Sequence, residues 1–272
     1  MPSTGRNAVR PIRIVLAAVL VSVFVAPAAL ASSFFIIGDG STESSITPLL
    51  TARGHTVTLF SGVYDYNFTG ATSLTPYDAV ILLDGEGASG MPTSGQNALT
   101  SFVSGGKGIV ITEWVALEYR MGGYASMGDL IPLRRAPLSG GFETTDTYYV
   151  QGVHEITNGL PANFGVPKMG SNAGTAVSGS TVLVTGTKAG DAVVIDTYGT
   201  GRIVQFASAG NYGGYMPFNQ GSASANFNLL FVQGAEWAAG AGGPAVPEPV
   251  TMAGLVLGLG GLATYVRRRR AA

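Results

Sequence analysis

The chain has 272 residues, of which 15 are Lys or Arg, 16 are Asp or Glu and two are His, with 40 Gly and no Cys. A hydrophobic share of 46% against 11% charged excludes an intrinsically disordered chain, which needs the reverse balance. The absence of cysteine excludes a disulfide framework, a thiol nucleophile and a thiolate metal site.

The first segment reads as an address. Arg6, Arg10 and Arg13 precede an apolar run from Ile14 to Val25, and Ala29-Leu30-Ala31 supplies a small-x-small cleavage site. This order predicts a secretory signal peptide over residues 1–31, leaving Ser32 as the mature N-terminus.

Residues 32–240 carry one continuous globular pattern, within single-domain size. The apolar run Ser33–Ile37 predicts a buried strand that stops at Gly38-Asp39-Gly40. A helix is expected over Glu43–Arg53, with Gly54 as its stop, then a second strand over Thr56–Phe60. His55, at that helix-to-strand turn, is expected at the surface. Ala79–Leu83 is the third strand, ending at Asp84-Gly85-Glu86-Gly87; a helix over Ser94–Ser104 and a strand over Gly108–Thr112 follow. Strands alternating with helices, apolar on both faces, predict a mostly parallel sheet flanked by helices. Residues 119–142 have little periodicity and are expected to run over the sheet. The second half is β-rich, with strands expected over Tyr148–Gln151, Thr181–Thr185, Ala192–Thr197 and Arg202–Ala207. The last two are joined at Gly199-Thr200-Gly201 as a hairpin. A helix over Ser222–Ala239 closes the domain, with Phe227, Leu230, Phe231 and Trp237 toward the core.

Residues 241–249 form a Gly- and Ala-rich linker ending in Val246-Pro247-Glu248-Pro249. An uncharged stretch from Val250 to Val266 follows and stops at Arg267, Arg268, Arg269 and Arg270. As a helix that stretch would span roughly 25 Å, enough for a thin hydrocarbon core, with the arginines cytoplasmic. Residues 250–272 are therefore a transmembrane candidate. The motif, short span and Arg cluster resemble the PEP-CTERM sorting signal of Gram-negative envelope proteins. That resemblance implies handover from the export machinery to an exosortase at the inner membrane, cleavage near Pro247-Glu248-Pro249, and release to the cell surface or extracellular matrix. Without leader and tail, eight basic and fifteen acidic residues remain, a net charge of −7. Such a body lacks the basic face that nucleic-acid binding needs.

The strand order with "YDAVILLDGEG", "SGGKGIVIT", "HEITNGLP" and "GTGRIVQFA" makes the body similar to class I glutamine amidotransferase-like domains, nearest the ThuA-like branch. The resemblance implies a flavodoxin-like fold with a ligand site at the carboxyl edge of the sheet. Amidotransferase relatives carry a Cys on the turn after the strand matching Gly108–Thr112, where this chain has Glu113. ThuA-like relatives often carry a His after the strand matching Ile203–Ala207, where this chain reads Ser208-Ala209-Gly210-Asn211. Cys-His amide hydrolysis is thereby excluded, and no G-x-S-x-G supports a serine elbow.

Carboxylates remain. Asp39, Asp84 and Glu113 each follow an apolar strand, and in the order 2-1-3-4-5 their strands are neighbours opening on one crevice. Glu86, two residues past Asp84, and Asn211 complete the candidate site. Clustered acids repel and invite a cation, with calcium expected at Asp39, Asp84 and Glu113, or a polyhydroxyl ligand such as an extracellular polysaccharide. The competing reading makes each acid a cap or turn anchor. Tyr212, Tyr215 and Phe218 form either a sugar-stacking rim or a self-packed loop. Three functions stay open: a non-catalytic binding domain, a carbohydrate-acting hydrolase using Asp84 and Glu113 as acid and base, and a purely structural matrix component.

Overall fold

The computed structural model describes residues 31–84, 90–135, 143–171, 173–210 and 216–240. The signal-peptide core with Ala29, the linker and the whole sorting tail (Pro247, Glu248, Pro249, Arg267, Arg268, Arg269 and Arg270) lie outside the described residues. Among those that are described, no helix is long and apolar enough to cross a membrane.

Among the described residues, eleven strands share one sheet. Strand β1 (Ser33–Gly38) leads to helix α1 (Glu43–Thr51) and strand β2 (Thr56–Tyr64); β3 (Ala79–Leu82), α2 (Thr93–Ser104), β4 (Gly108–Ile111) and α3 (Glu113–Met121) follow. Next come β5 (Leu133–Arg135), β6 (Glu143–Val150), β7 (Asn163–Ser171), β8 (Gly174–Ala176), β9 (Thr181–Gly186), β10 (Gly190–Tyr198), β11 (Gly201–Phe206) and α4 (Ala225–Ala238). The spatial order is β2-β1-β3-β4-β11-β10-β9-β6-β7, with β8 on β10 and β5 on β8. The pairs from β2 to β11 are all parallel, and β11 takes the fifth place of a flavodoxin-like 2-1-3-4-5 sheet. From β11 outward through β10, β9, β6 and β7 the pairing is antiparallel.

The parallel strands are apolar on both faces because helices cover both. Phe34, Ile36, Ile81, Val110 and Val204 point into one core with Ile46 and Leu50 of α1 and Phe227, Leu230 and Phe231 of α4. Phe35, Ile37, Val80, Leu82, Ile109, Ile111 and Ile203 point into the other, with Leu99 and Val103 of α2 and Val115 of α3. The period-2 alternation thus divides each strand between two layers. Two glycines let helices press close: a Cβ on Gly108 would lie 2.1 Å from the Ala238 carbonyl, and one on Gly201 2.0 Å from that of Val103.

Several expectations are corrected. Strand β2 runs on to Tyr64, and residues 113–121 are a helix whose Gly122 cap adopts φ +92°. The segment after it is ordered by Gln96 of α2, whose amide donates to Met91 and Gly123 O and whose carbonyl accepts from Ser126 N. His55 is buried: its Nδ1 accepts from Ser32 N at 3.1 Å and its Nε2 lies 3.0 Å from Glu236 Oε1. Phe218 is also buried, with ring centroids 5.0 Å from both Phe227 and Phe231, so it belongs to the core and not to a rim. Tyr212 and Tyr215 lie outside the described residues.

Candidate functional site

Asp39 leaves the end of β1 and holds the turn into α1. Its Oδ1 accepts from Ser41 N at 2.8 Å and Thr42 N at 2.6 Å, and its Oδ2 accepts from the Thr42 hydroxyl. Glu43 answers by accepting from Asp39 N at 3.3 Å, and burial holds its carboxyl above the ordinary range. Both Asp39 oxygens are therefore engaged in the turn, as a helix-start acid's oxygens commonly are. The chain leaving β11 closes on the same place: Gly210 has φ +76°, and a Cβ there would come within 2.7 Å of Thr42 Oγ1.

Glu113 begins α3 at the end of β4, with its N–H donated to Ser208 O at 3.0 Å. Arg135 comes over from β5 and sets its Nε 3.0 Å from Glu113 Oε1, both side chains being almost wholly buried. Burial pushes the Glu113 carboxyl up to about 7, with Arg135 pulling the other way. The residue after β4 is thus a buried carboxylate held in place by an arginine.

Asp84, at the end of β3, has different company. One oxygen from each of Asp65, Asp84 and Glu118 lies within 4.8 Å of the others, and all three residues are buried. Asp65 opens the single 3-10 turn after β2, and Glu118 stands on α3. Tyr124 donates its hydroxyl to Asp65 Oδ2 at 2.5 Å, and the Gly90 N–H bonds to Glu118. Asp84 Oδ2 and Glu118 Oε2 have no hydrogen-bond partner among the described residues. Burial first, then the charges of Asp65, Glu118, Glu113 and Asp39, hold the Asp84 carboxyl well above its ordinary value. Burial and Asp65 push Glu118 to about 7. Two such charges 4 Å apart repel by roughly 4 kcal/mol at an effective dielectric of 20, so three ionised together are costly without a counter-charge.

The predicted trio of Asp39, Asp84 and Glu113 is thus redistributed. All three stand at neighbouring strand ends and are buried, but Asp39 is committed to a turn and Glu113 to an arginine. Among the described residues, the three-carboxylate group close enough for one ion is Asp65, Asp84 and Glu118. Glu86 and Asn211 lie outside the described residues. Asp65 also follows a strand directly, but β2 is mixed in composition and half-exposed, so its last four residues carry no apolar run to mark that end. Glu118 depends on residues 113–121 being helical, and the helix-forming run Glu113-Trp114-Val115-Ala116-Leu117-Glu118 before Gly122 is the signal for it in the sequence.

No protein-family model matches the chain, and no curated protein matches it by sequence. Its fold is similar to a ThuA-like protein from Parabacteroides merdae, at 18% identity and a TM-score of 0.59 over 79% of this chain and 92% of that one. It is also similar to a cytoplasmic protein from Salmonella typhimurium, at 13% identity and TM-score 0.57 over 76% and 98%. A β-galactosidase from Rahnella sp. R3 matches at 14% identity and TM-score 0.52 over 76% of this chain, which corresponds to 31% of that enzyme. At these identities the likeness is one of fold: the body has a mixed α/β fold like that of the ThuA-like protein.

Proposed function

We propose that this is an exported protein of the cell surface or extracellular matrix, whose ThuA-like domain binds a ligand at the carboxyl edge of its sheet without amidotransferase chemistry. The observation that carries the reading is the Glu113–Arg135 pair. At the position where the resemblance implies a nucleophile, the chain has a buried carboxylate whose charge is met at 3.0 Å, and it has no cysteine. A group held this way positions α3 and β5; it is not free to attack a carbonyl.

Export and sorting rest on the two ends of the sequence. The leader is expected to be cleaved after Ala31, and residues 250–266 to enter the inner membrane until an exosortase cuts near Pro247-Glu248-Pro249. The ligand classes are a cation or an extracellular polysaccharide, and nucleic acid is not among them, given the net acidic body. A hydrolase using Asp84 and Glu113 as acid and base is less well supported, since Glu113 is already paired with Arg135 and almost wholly out of solvent.

Two measurements test the reading. Intact mass of the extracellular form from the native host is expected to lack Arg267, Arg268, Arg269 and Arg270; a mass that retains them removes the sorting claim. Ammonia release from glutamine by the purified protein is expected to equal a heat-killed control, and release above it would remove the non-catalytic claim.

A further inference from the structure

We propose that Asp65, Asp84 and Glu118 together bind one hard divalent cation, calcium by preference. The proposal rests on the reading of the domain as a ligand-binding one and gives that ligand an identity and an address, displaced from the strand-end trio toward β2 and α3.

Among the described residues, the other fully buried acids are answered by hydrogen bonds or by an arginine. Asp39 accepts from two backbone N–H groups and a hydroxyl, Glu113 faces Arg135, and buried Asp146 accepts from Thr187 Oγ1 at 2.6 Å and Ala189 N at 2.9 Å. Asp84 and Glu118 depart from that rule: Glu113 too has oxygens without a hydrogen bond, but it faces an arginine, and these two acids do not. Among the described residues no ion pair reaches Asp84 or Glu118, and an oxygen of each is buried without a hydrogen-bond partner. Asp84 is only 2% exposed and Glu118 6%. Buried charges persist when paired or when they coordinate a metal.

The spacing suits an ion. Oxygens on opposite sides of calcium, each about 2.3–2.6 Å from it, stand roughly 4.6–5.2 Å apart, while those around magnesium at about 2.1 Å stand no more than roughly 4.2 Å apart. The three acids bring one oxygen each within 4.8 Å of one another, a ceiling that admits either ion; calcium is favoured because it accepts irregular coordination, whereas magnesium demands a near-ideal octahedron. Every ligand is a hard oxygen, which selects alkaline-earth cations over softer metals. The Tyr124 hydroxyl on Asp65 Oδ2 orients that carboxylate from behind, as hydrogen-bonded neighbours of metal ligands do.

The test is calorimetric titration of the purified full chain with calcium after chelator treatment, with thermal melting in parallel. One calcium per chain is expected, raising the melting temperature by roughly 5–10 °C at a hundredfold excess over Kd. Asp84→Asn and Glu118→Gln are each expected to abolish binding, while Asp129→Asn, at an exposed acid, keeps it. Terbium gives a readout that survives if those variants fold poorly. Bound to the parent protein, it is expected to emit on excitation of tyrosine, and Tyr124→Phe is expected to lower that emission without removing calcium binding. No uptake at millimolar calcium, or binding that persists in both Asp84→Asn and Glu118→Gln, overturns the proposal. So does an Asp84→Asn variant that melts higher than the parent with or without calcium, because protons then relieve the repulsion. None of these failures touches the mass and ammonia measurements, so loss of the cation leaves the exported, non-catalytic reading to stand or fall separately.

Discussion

Arg135 Nε and Glu113 Oε1 meet at 3.0 Å in a place where both side chains are almost wholly withdrawn from water. Removing one partner of such a pair strands the other. Arg135→Met is expected to destabilise the fold by about 3–5 kcal/mol at pH 8, and replacing both by Met and Leu to recover most of that loss. A double-mutant cycle by chemical denaturation measures the coupling. If Arg135→Met unfolds at the same denaturant concentration as the parent, the pair has no structural role.

The buried end of β1 gives the second prediction. Ser32 N donates to His55 Nδ1, and His55 Nε2 faces Glu236 Oε1, so the backbone nitrogen at the proposed cleavage point is the first member of a chain ending in a carboxylate. Cleavage after Ala31 would turn that amide into an ammonium, which the His55–Glu236 pair is placed to neutralise. Glu236→Gln is therefore expected to cost the cleaved form about 1–2 kcal/mol more than a form that keeps a residue before Ser32. Equal losses in the two forms would show that the new terminus turns away from His55.

How much of this was legible follows from what each feature depends on. The parallel half was readable because β1, β3 and β4 are short apolar runs that end at Asp39, Asp84 and Glu113, so local composition and strand ends coincide. The pairing of acids was not. Whether Asp39 serves a turn, Glu113 an arginine, or Asp84 a cluster is decided by Thr42, Arg135 and Asp65. Of these, Thr42 lies near in sequence and the other two approach only through the tertiary fold. His55 was misplaced for the same reason: its partner Glu236 is 181 residues away.

The delivery of Asp65 has a backbone cost. Val63 sits at φ +64° two residues before it, and the register of β2 on β1 shifts between Ile36 and Gly38. The left-handed region costs a non-glycine residue about 1–2 kcal/mol, and glycine at an ordinary position costs about 0.5–1 kcal/mol in chain entropy. Val63 is 40% exposed, so little packing is lost on truncation. Val63→Gly is expected to raise stability by about 0.5–1 kcal/mol, read as a higher urea midpoint. A lower midpoint would mean that the valine side chain contributes more than its exposure suggests.

The last prediction concerns pH. Glu113 and Glu118 both titrate near 7 in the folded protein against an ordinary value of 4.5, chiefly because burial disfavours their charged forms. Between those values the native state holds more protons than the unfolded chain, so stability falls as pH rises. The stabilisation is full below about 4.5 and is lost as pH climbs through about 7. A shift of that size corresponds to about 3 kcal/mol for almost wholly buried Glu113. Glu43 and Asp84 act in the same direction, since burial raises both. Half-exposed His154, lowered by burial, opposes them weakly as pH rises up to its ordinary value of 6.5 and adds nothing further above it. Asp78 is lowered, and its contribution is lost only below the ordinary value of 3.8, outside this window. In chelator, urea denaturation is therefore expected to find the protein more stable at pH 5 than at pH 8, the reverse of a protein stabilised by exposed salt bridges. Glu113→Gln is expected to flatten part of that slope, and saturating calcium a further part through Glu118. A stability that rises from pH 5 to pH 8 in chelator would mean that these carboxylates are ionised and satisfied in the folded state.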